Sequence, residues 1–192
     1  MNQYETVNIL DMISAIGEDG VKDILSDFSC PDNTEIENFI KFNAIEFAKR
    51  KISITYLVIN NNGELLAIFA LTHKAVQIVS TLMTSTVRRK IERHAKLDET
   101  TNAYMLSAFL IAQFGKNHKY RNHITGNELM GLTISILIDV QKTIGGGIVY
   151  LECEEKPKLL NFYNNEQNQF RVFGERYSGK DHVKYMQLLR TL

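Results

Sequence analysis

Cysteine, proline and tryptophan are scarce: the 192 residues contain two cysteines, two prolines and no tryptophan. Because Cys30 and Cys153 lie far apart and match no ligand spacing, neither a disulfide framework nor a zinc site can be the basis of the fold. The five histidines show no metal-ligand spacing either, so we expect no metal site. Two free cysteines without a disulfide pattern favour a reducing compartment, and we expect a cytoplasmic protein.

An excess of one charge and a long apolar run are also missing. The 22 basic residues balance 22 acidic ones, which excludes general affinity for nucleic acids or anionic membranes and restricts such binding to local patches. No apolar stretch reaches the ~18 residues of a membrane helix, and the N-terminus shows no leader pattern, so we expect no membrane partner. The length fits a single domain, residues 1–192, with one core.

The hydrophobic periodicity predicts an α/β (α+β) protein with the element order β-α-α-β-β-β-α-β-α-β-β. A helix over residues 34–51 follows an N-cap candidate at Thr34 or Asn33. Two β-rich runs within residues 52–79 meet at Asn62-Gly63, which can adopt the positive φ angles of a tight hairpin turn. The other predicted elements are a broken helix at 11–28, strands at 4–10, 103–115, 147–154, 170–177 and 183–192, and helices at 126–146 and 156–166.

Residues 80–102 form a polar excursion between strands. Within it, Arg89, Arg93 and Lys96 would share one helix face at i, i+4 and i+7. This basic run, which also includes Arg88 and Lys90, has two interpretations: a solvated helix face, or a patch that follows RNA phosphates.

The most informative stretch is AQFGKNHKYRNHITGNELMGLTISIL, residues 112–137, where a buried strand passes through a polar segment into an amphipathic helix. We call residues 117–125 the joint. A helix start presents unpaired N–H groups and the positive end of the helix dipole, so the sequence predicts an anion site near Thr125-Gly126. A plain surface loop with a capped helix is the alternative.

A buried strand, this joint, a long helix, a second buried strand and a short helix ending in a tyrosine together resemble the GCN5-related N-acetyltransferase (GNAT) family. The resemblance covers most of the chain. It implies a GNAT fold with a mixed, mostly antiparallel central sheet of six to seven strands and about four helices. It also implies acetyl-CoA (coenzyme A) as cofactor, whose pyrophosphate binds backbone amides of a Q/R-x-x-G-x-G/A loop. The matching residues are Arg121, Asn122, His123, Ile124, Thr125 and Gly126.

The resemblance implies further roles. Ile124 stands where the family has its first glycine, and since a β-branched residue does not adopt positive φ cheaply, we expect the loop to follow another path. Lys119, with its basic neighbours, is placed to reach phosphate oxygens. Tyr163 takes the position of a tyrosine that protonates the departing thiolate. The strand end expected to contact the pantetheine arm comprises Gln113, Phe114 and Gly115.

The N-terminal half narrows the resemblance to GNAT toxins that acetylate aminoacyl-tRNA, whose signature reads F-x-C, L-x-x-F/W-L and A-x(n)-Y-V-x-V. The residues that carry this likeness are Phe28, Cys30, Ile36, Phe39, Ile40, Ala44 and Tyr56. The leading hypothesis is an acetyl-CoA-dependent N-acetyltransferase that transfers acetyl directly to an unidentified amine. The alternatives are a toxin that acetylates aminoacyl-tRNA and has an antitoxin partner, and a noncatalytic module that binds coenzyme A or a protein. The apolar C-terminal strand suggests a homodimer formed by strand pairing.

Overall fold

The computed structural model describes residues 4–179 and 182–192, without the side chain of Leu82. Its strands form one eight-stranded sheet in the order β1-β2-β3-β5-β6-β8-β7, with β4 beside β5. The strands are β1 (Tyr4–Asn8), β2 (Ile54–Asn60), β3 (Leu65–Val79), β4 (Leu97–Asp98), β5 (Ala103–Lys116), β6 (Ile148–Glu154), β7 (Arg171–Ser178) and β8 (Val183–Thr191). The α-helices are α1 (Ile9–Ser26), α2 (Thr34–Asn38), α3 (Ala44–Lys49), α4 (Ser85–Ile91), α5 (Gly126–Ile144) and α6 (Pro157–Asn164).

The predicted order of the main elements is confirmed, but the element counts differ from the prediction. The sheet has eight strands because the polar excursion contributes the two-residue strand β4. The excursion also contains the short helix α4. Among the described residues, none of the helices combines the length and the hydrophobicity needed to cross a membrane.

Strand β5 runs parallel to β6, with Phe109 opposite Val149 and Leu110 opposite Tyr150. The other strand pairs with a described register are antiparallel. A parallel pair requires a crossover connection, which here contains α5. The chain divides into two compact units: the first extends to Thr72 and adds Ile111–Thr133, and the second comprises His73–Leu110 and Ile134–Leu192. That residues 1–192 act as one domain stays a prediction.

Helices α1 and α2 of the first unit begin at asparagine caps. The Asn8 side chain accepts a hydrogen bond from the Leu10 N–H, and α1 bends at Gly17, which has φ 78°. This is the broken helix that the sequence predicts. Asn33, rather than Thr34, caps α2, and a π-helical turn at Phe39–Asn43 joins α2 to α3. The predicted helix therefore exists with a bulge in its middle.

Residues of the toxin-like signature form much of the first unit's core. Phe28, Ile40 and Ala44 are buried in one cluster with side chains from α1, β2 and β3, and Ile36 packs against that cluster. Tyr56 stacks on Phe69 with ring centroids 5.1 Å apart. These positions therefore have a structural role, since they pack the helices on the sheet.

The hairpin between β2 and β3 differs from the prediction in one detail. Gly63 alone of the pair Asn62-Gly63 has a positive φ, of 80°. The Gly63 N–H donates to the Asn60 carbonyl at 3.0 Å, and the Asn60 N–H donates to the Glu64 carbonyl at 3.1 Å. A longer turn that needs one left-handed residue thus replaces the tight two-residue turn.

The prediction that basic residues of the excursion share one helix face is wrong. Helix α4 ends at Ile91, so Arg93 and Lys96 lie beyond it and share no helix face with Arg89. The sequence pattern failed because Val87 and Ile91 are buried in the second unit's core, and the chain turns once they are in place. The Arg88 guanidinium also folds back to the Ser80 carbonyl, at 2.8 Å.

The C-terminal strand does not provide the free edge predicted for a homodimer. Strand β8 pairs with β6 along residues 185–191 and, on its other side, with β7 along residues 183–189. Both sides of its backbone are therefore hydrogen-bonded within the second unit. The outermost strand there is β7.

Gly146, between α5 and β6, is expected to reject a side chain. Its φ is 96°, and a Cβ there would lie 3.0 Å from the buried Phe109 ring. We expect Gly146→Ala to lower the free energy of unfolding by about 1–3 kcal/mol, because left-handed strain adds to the clash. Gly131→Ala in α5 is the matched control, since a Cβ there meets no described atom within 4 Å and alanine favours a helix by ~1 kcal/mol. Urea unfolding measures both variants, and equal shifts of the unfolding midpoint in Gly146→Ala and Gly131→Ala, relative to the wild type, would contradict this prediction.

Candidate functional site

The joint lies in the first unit, between the end of β5 at Lys116 and the start of α5 at Gly126. Helix α5 begins with a capping box: the Thr125 hydroxyl accepts a hydrogen bond from the Glu128 N–H at 3.1 Å. In return, the Thr125 N–H donates to the Glu128 carboxylate at 2.7 Å. The predicted helix start is thus present, and it places backbone N–H groups of its first turn at the joint.

Ile124 does not take the conformation of a loop glycine. None of the joint residues has a positive φ, and the Ile124 side chain is only 1% exposed. Its carbonyl accepts a hydrogen bond from the Lys116 ammonium at 3.0 Å. The loop therefore follows another path, as expected from a β-branched residue, and Ile124 fixes it by burial.

The basic side chains of the joint divide into two groups. The Lys116 ammonium donates to the carbonyls of Arg121 and Ile124, and the Lys119 ammonium pairs with Asp27, so both support the loop itself. Arg121 and His123 are exposed at the surface. Arg121 is therefore better placed than Lys119 to meet an outside anion. Asn122 and His118 are likewise exposed, whereas Thr125 and Gly126 form the helix start.

The residues predicted to contact the pantetheine arm lie near the C-terminal end of strand β5, in the same unit. Gln113, Phe114 and Gly115 are all partly exposed. Gly115 sits close to α2, because a Cβ there would lie 3.2 Å from Ile36. A side chain at this position would force Ile36 to move by a few tenths of an ångström.

Glu128, in the first turn of α5, is a residue of the candidate site that the sequence interpretation missed, although the T-x-x-E spacing of a capping box was visible. Hydrogen bonds from the Thr125 hydroxyl and N–H lower the pKa of the Glu128 carboxyl, and Tyr4 and Lys116 add to the effect. The carboxylate is therefore ionised at neutral pH. The carboxylate accepts the hydrogen bond of the Thr125 N–H, at the position where the GNAT resemblance places a pyrophosphate.

Tyr163 lies in the second unit, in the last turn of α6, which begins at Pro157. Its side chain is buried, with its ring 5.0 Å from Phe162 and 5.8 Å from Phe170 in edge-on contacts. Burial, with a smaller effect of Cys153, raises the pKa of Tyr163. The phenol therefore keeps its proton at neutral pH and can act as a proton donor.

The link after α6 holds Phe170 against Tyr163. The Asn165 side chain accepts hydrogen bonds from the N–H groups of Gln167 and Asn168, and the buried Asn168 amide donates to the Phe162 carbonyl at 2.8 Å. The Phe170 N–H donates to the Tyr163 carbonyl at 2.9 Å. The NNEQNQF link is thus an ordered support for the tyrosine.

A charged network of the second unit also escaped the sequence interpretation. Arg176 on β7 donates to the Glu152 carboxylate at 2.7 Å, and Tyr150 and Gln187 donate to its other oxygen. Burial opposes ionisation of Glu152, but these hydrogen bonds outweigh it and hold its pKa at about 2. Lys74 lies 4.9 Å above the Tyr150 ring. A carboxylate with so low a pKa is a poor general base.

The cysteines lack the properties of nucleophiles. Burial raises the pKa of Cys30, and it raises the pKa of Cys153 to about 11. Both are therefore thiols at neutral pH, whereas the nucleophile of cysteine chemistry is the thiolate.

The basic segment around α4, residues 88–96, carries positively charged side chains that form no ion pair with an acidic residue of the described chain. Each of these side chains is exposed and forms no ion pair within the described chain: Arg89, Lys90, Arg93 and Lys96. The one acid among them, Glu92, accepts a hydrogen bond from Tyr104 at 2.9 Å. A locally positive surface thus exists on a protein without net charge.

No family model matches the sequence, and no curated protein matches it. Solved structures do match the fold. A bacterial toxin aligns with a TM-score of 0.64 at 15% identity, over 95% of this chain and 89% of that one. A tyrosine-to-phenylalanine mutant of KacT aligns with a TM-score of 0.67 at 13% identity, over 97% of this chain and 95% of that one.

The toxin AtaT matches in several complexes. Its tyrosine-to-phenylalanine mutant bound to acetyl-CoA and to the C-terminus of the antitoxin AtaR aligns with a TM-score of 0.61 at 11% identity, over 99% of this chain and 94% of that one. AtaT complexed with acetyl-methionyl-tRNAfMet aligns with a TM-score of 0.61 at 12% identity, over 84% and 85% of the two chains.

These alignments span nearly the whole chain, and they decide the architecture. The chain has the GNAT fold. The predicted fold class is therefore confirmed. Within the GNAT fold, β5 and β6 form the parallel pair and α5 is the helix between them.

The residues present fit a coenzyme A pyrophosphate at the start of α5. The joint leads from β5 to the start of α5, Arg121 in the joint is exposed, and Gly126 opens the helix without a side chain. The fit requires the Glu128 carboxylate to release the Thr125 N–H or to share it.

Proposed function

We propose that this protein is an acetyl-CoA-dependent N-acetyltransferase. The observation that carries the proposal is the GNAT fold shared with AtaT, which binds acetyl-CoA in one of the matching structures, together with the helix start that the joint connects to β5. When bound, acetyl-CoA supplies an activated acetyl thioester.

The chain's own residues have separate tasks in this proposal. Arg121, Asn122 and His123 are the exposed side chains available to phosphate, and the N–H groups at Thr125 and Gly126 offer hydrogen bonds to it. The strand end at Gln113–Gly115 orients the pantetheine arm. Tyr163 holds a proton at its phenolic oxygen for the departing thiolate. Most of the rate then comes from positioning of the two substrates.

Titration of the purified protein with acetyl-CoA, followed by calorimetry, tests the proposal. Binding in the micromolar range, ~8 kcal/mol, or tighter supports it. Coenzyme A and an adenine nucleotide alone serve as comparison ligands, since they separate the pantetheine contribution from that of the nucleotide. Absence of binding at millimolar acetyl-CoA would overturn the proposal. Binding without transfer to any amine would favour the noncatalytic module instead.

A toxin that acetylates aminoacyl-tRNA is the second candidate. It is favoured by the toxin neighbours, one of them complexed with acetyl-methionyl-tRNAfMet, and by the unpaired cations around α4, which suit a phosphate backbone. We further propose an antitoxin partner, by analogy with AtaT bound to AtaR. Incubation with acetyl-CoA and a mixture of charged tRNAs tests this candidate. Acetylated aminoacyl-tRNA is the expected product, and transfer only to small amines would exclude the candidate.

Removal of the Glu128 charge is expected to strengthen cofactor binding. Glutamine can keep the capping box, whereas the full negative charge next to a bound pyrophosphate disappears. We expect Glu128→Gln to raise the affinity for acetyl-CoA about two- to fivefold, as for a charge at a helix start. Calorimetry measures this, with Glu35→Gln in the first turn of α2 as a control of equal charge. Weaker binding by Glu128→Gln would show that the carboxylate supports the site instead.

A further inference from the structure

Asn117, the first residue of the joint, is a fully buried amide. Its side-chain oxygen accepts hydrogen bonds from the Ser29 N–H at 3.1 Å and the Lys119 N–H at 3.2 Å. Its amide nitrogen donates to the Leu65 carbonyl at 2.9 Å and the Asp27 carbonyl at 3.3 Å. Both acceptor sites and both donors of the side chain are therefore used, which is the full capacity of an asparagine.

The partners of Asn117 lie on three separate parts of the first unit. Asp27 and Ser29 belong to the segment between α1 and α2, Leu65 begins β3, and Lys119 is in the joint. The backbone continues the connection, because the Asn117 N–H donates to the Leu66 carbonyl at 2.8 Å.

The far end of the joint is held separately. Lys116 donates to the Arg121 carbonyl at 2.7 Å and to the Ile124 carbonyl, and Ile124 is buried. At the near end, the His118 N–H donates to the Ser29 carbonyl at 2.7 Å. Between these anchors the chain has little freedom. A loop ordered before binding avoids the entropy cost of ordering it on the ligand.

We propose that Asn117 is the positioning residue of the cofactor loop: it holds the joint so that the amides at the start of α5 meet the pyrophosphate. This inference rests on the proposed function. Because its side chain is fully buried and its amide oxygen and nitrogen are occupied by protein groups, Asn117 acts through the joint. Its loss is expected to weaken acetyl-CoA binding about tenfold and to raise KM with kcat within about twofold, the pattern of lost uniform binding.

The test compares Asn117→Ala and Asn117→Ser with Asn60→Ala. Asn60 is a matched control, because its side chain also accepts two backbone N–H groups, in the hairpin between β2 and β3. We expect both kinds of variant to lose stability in urea, but only the Asn117 variants to bind acetyl-CoA more weakly by calorimetry. Unchanged affinity in a folded Asn117 variant, or an equal loss in Asn60→Ala, would overturn the proposal.

Hydrogen exchange of the free wild-type protein tests the same inference without a variant. The His118 and Lys119 N–H groups are expected to exchange slowly before any cofactor is added, because both are hydrogen-bonded in the anchored joint. Exchange as fast as in an unstructured loop would overturn the anchoring by Asn117 even if acetyl-CoA binds. Slow exchange in a wild-type protein that binds no acetyl-CoA would instead refute the proposed function and, with it, the positioning role.

Discussion

Replacement of Tyr163 by phenylalanine is expected to slow acetyl transfer by about 10²- to 10⁴-fold while leaving the affinity for acetyl-CoA nearly unchanged. The phenolic O–H is the only group that the substitution removes, and the phenol carries its proton at neutral pH. Proton delivery to a departing thiolate is needed in the transition state and not in the bound ground state. The loss should therefore appear in kcat.

The Tyr163→Phe variant is expected to keep the ring packing and the backbone hydrogen bonds around residue 163. The edge-on ring contacts with Phe162 and Phe170 involve the aromatic ring, which phenylalanine keeps. The link from Asn165 to Phe170 hydrogen-bonds through backbone groups and the Asn168 amide, none of which changes. The same change, tyrosine to phenylalanine, is present in two of the neighbouring toxins.

Steady-state kinetics with an identified amine acceptor measures the effect, and calorimetry with acetyl-CoA measures binding. Tyr177→Phe is the matched control, because it makes the same chemical change on the exposed face of β7. It should retain the wild-type rate. Wild-type turnover by Tyr163→Phe would remove the general-acid role, whereas lost acetyl-CoA binding would point to a role in the cofactor site.

The start of α5 and the departure of the joint from a glycine-loop conformation could be predicted because their signals are local. A period-two apolar run changes to a helical period, and Thr125 begins the helix with a residue type that caps helices. Ile124 predicted a different loop path, since a β-branched residue disfavours the positive φ that a glycine adopts. These signals lie within about fifteen residues of sequence, so no tertiary contact is needed to interpret them.

The support of the candidate site could not be predicted, because its contacts are distant in sequence. Asn117 meets Ser29 across 88 positions and Leu65 across 52. The end of α4 at Ile91 was missed for a related reason: burial in the second core, not the charge pattern, decides where that helix stops. Sequence periodicity reports local structure and is blind to such long-range hydrogen bonds and packing.

The Glu152 network is expected to make the protein less stable in acid. Hydrogen bonds from Arg176, Tyr150 and Gln187 hold the folded-state pKa of Glu152 at about 2, below its ordinary value of 4.5. A carboxyl with a depressed pKa stabilises the folded state fully above the unfolded-state pKa and loses that contribution as the pH falls from about 4.5 to about 2. The expected loss is about 1–3 kcal/mol, because half-exposed Arg176 is partly screened by solvent.

Urea unfolding of the wild type and of Glu152→Gln between pH 6 and pH 3 measures this contribution as the change in their stability difference. The wild type should lose more stability than the variant over that range, because the glutamine cannot titrate. Glu155→Gln is the control: it removes the same charge from an exposed residue that pairs with Lys184 at 3.4 Å. Its pH profile should follow the wild type, since an exposed pair holds little free energy. The contrary result is a free energy of unfolding of Glu152→Gln that falls with pH in parallel with that of the wild type. Such a result would show that the network does not stabilise the carboxylate. The pKa of Glu152 would then be ordinary, and the carboxylate could accept a proton in catalysis.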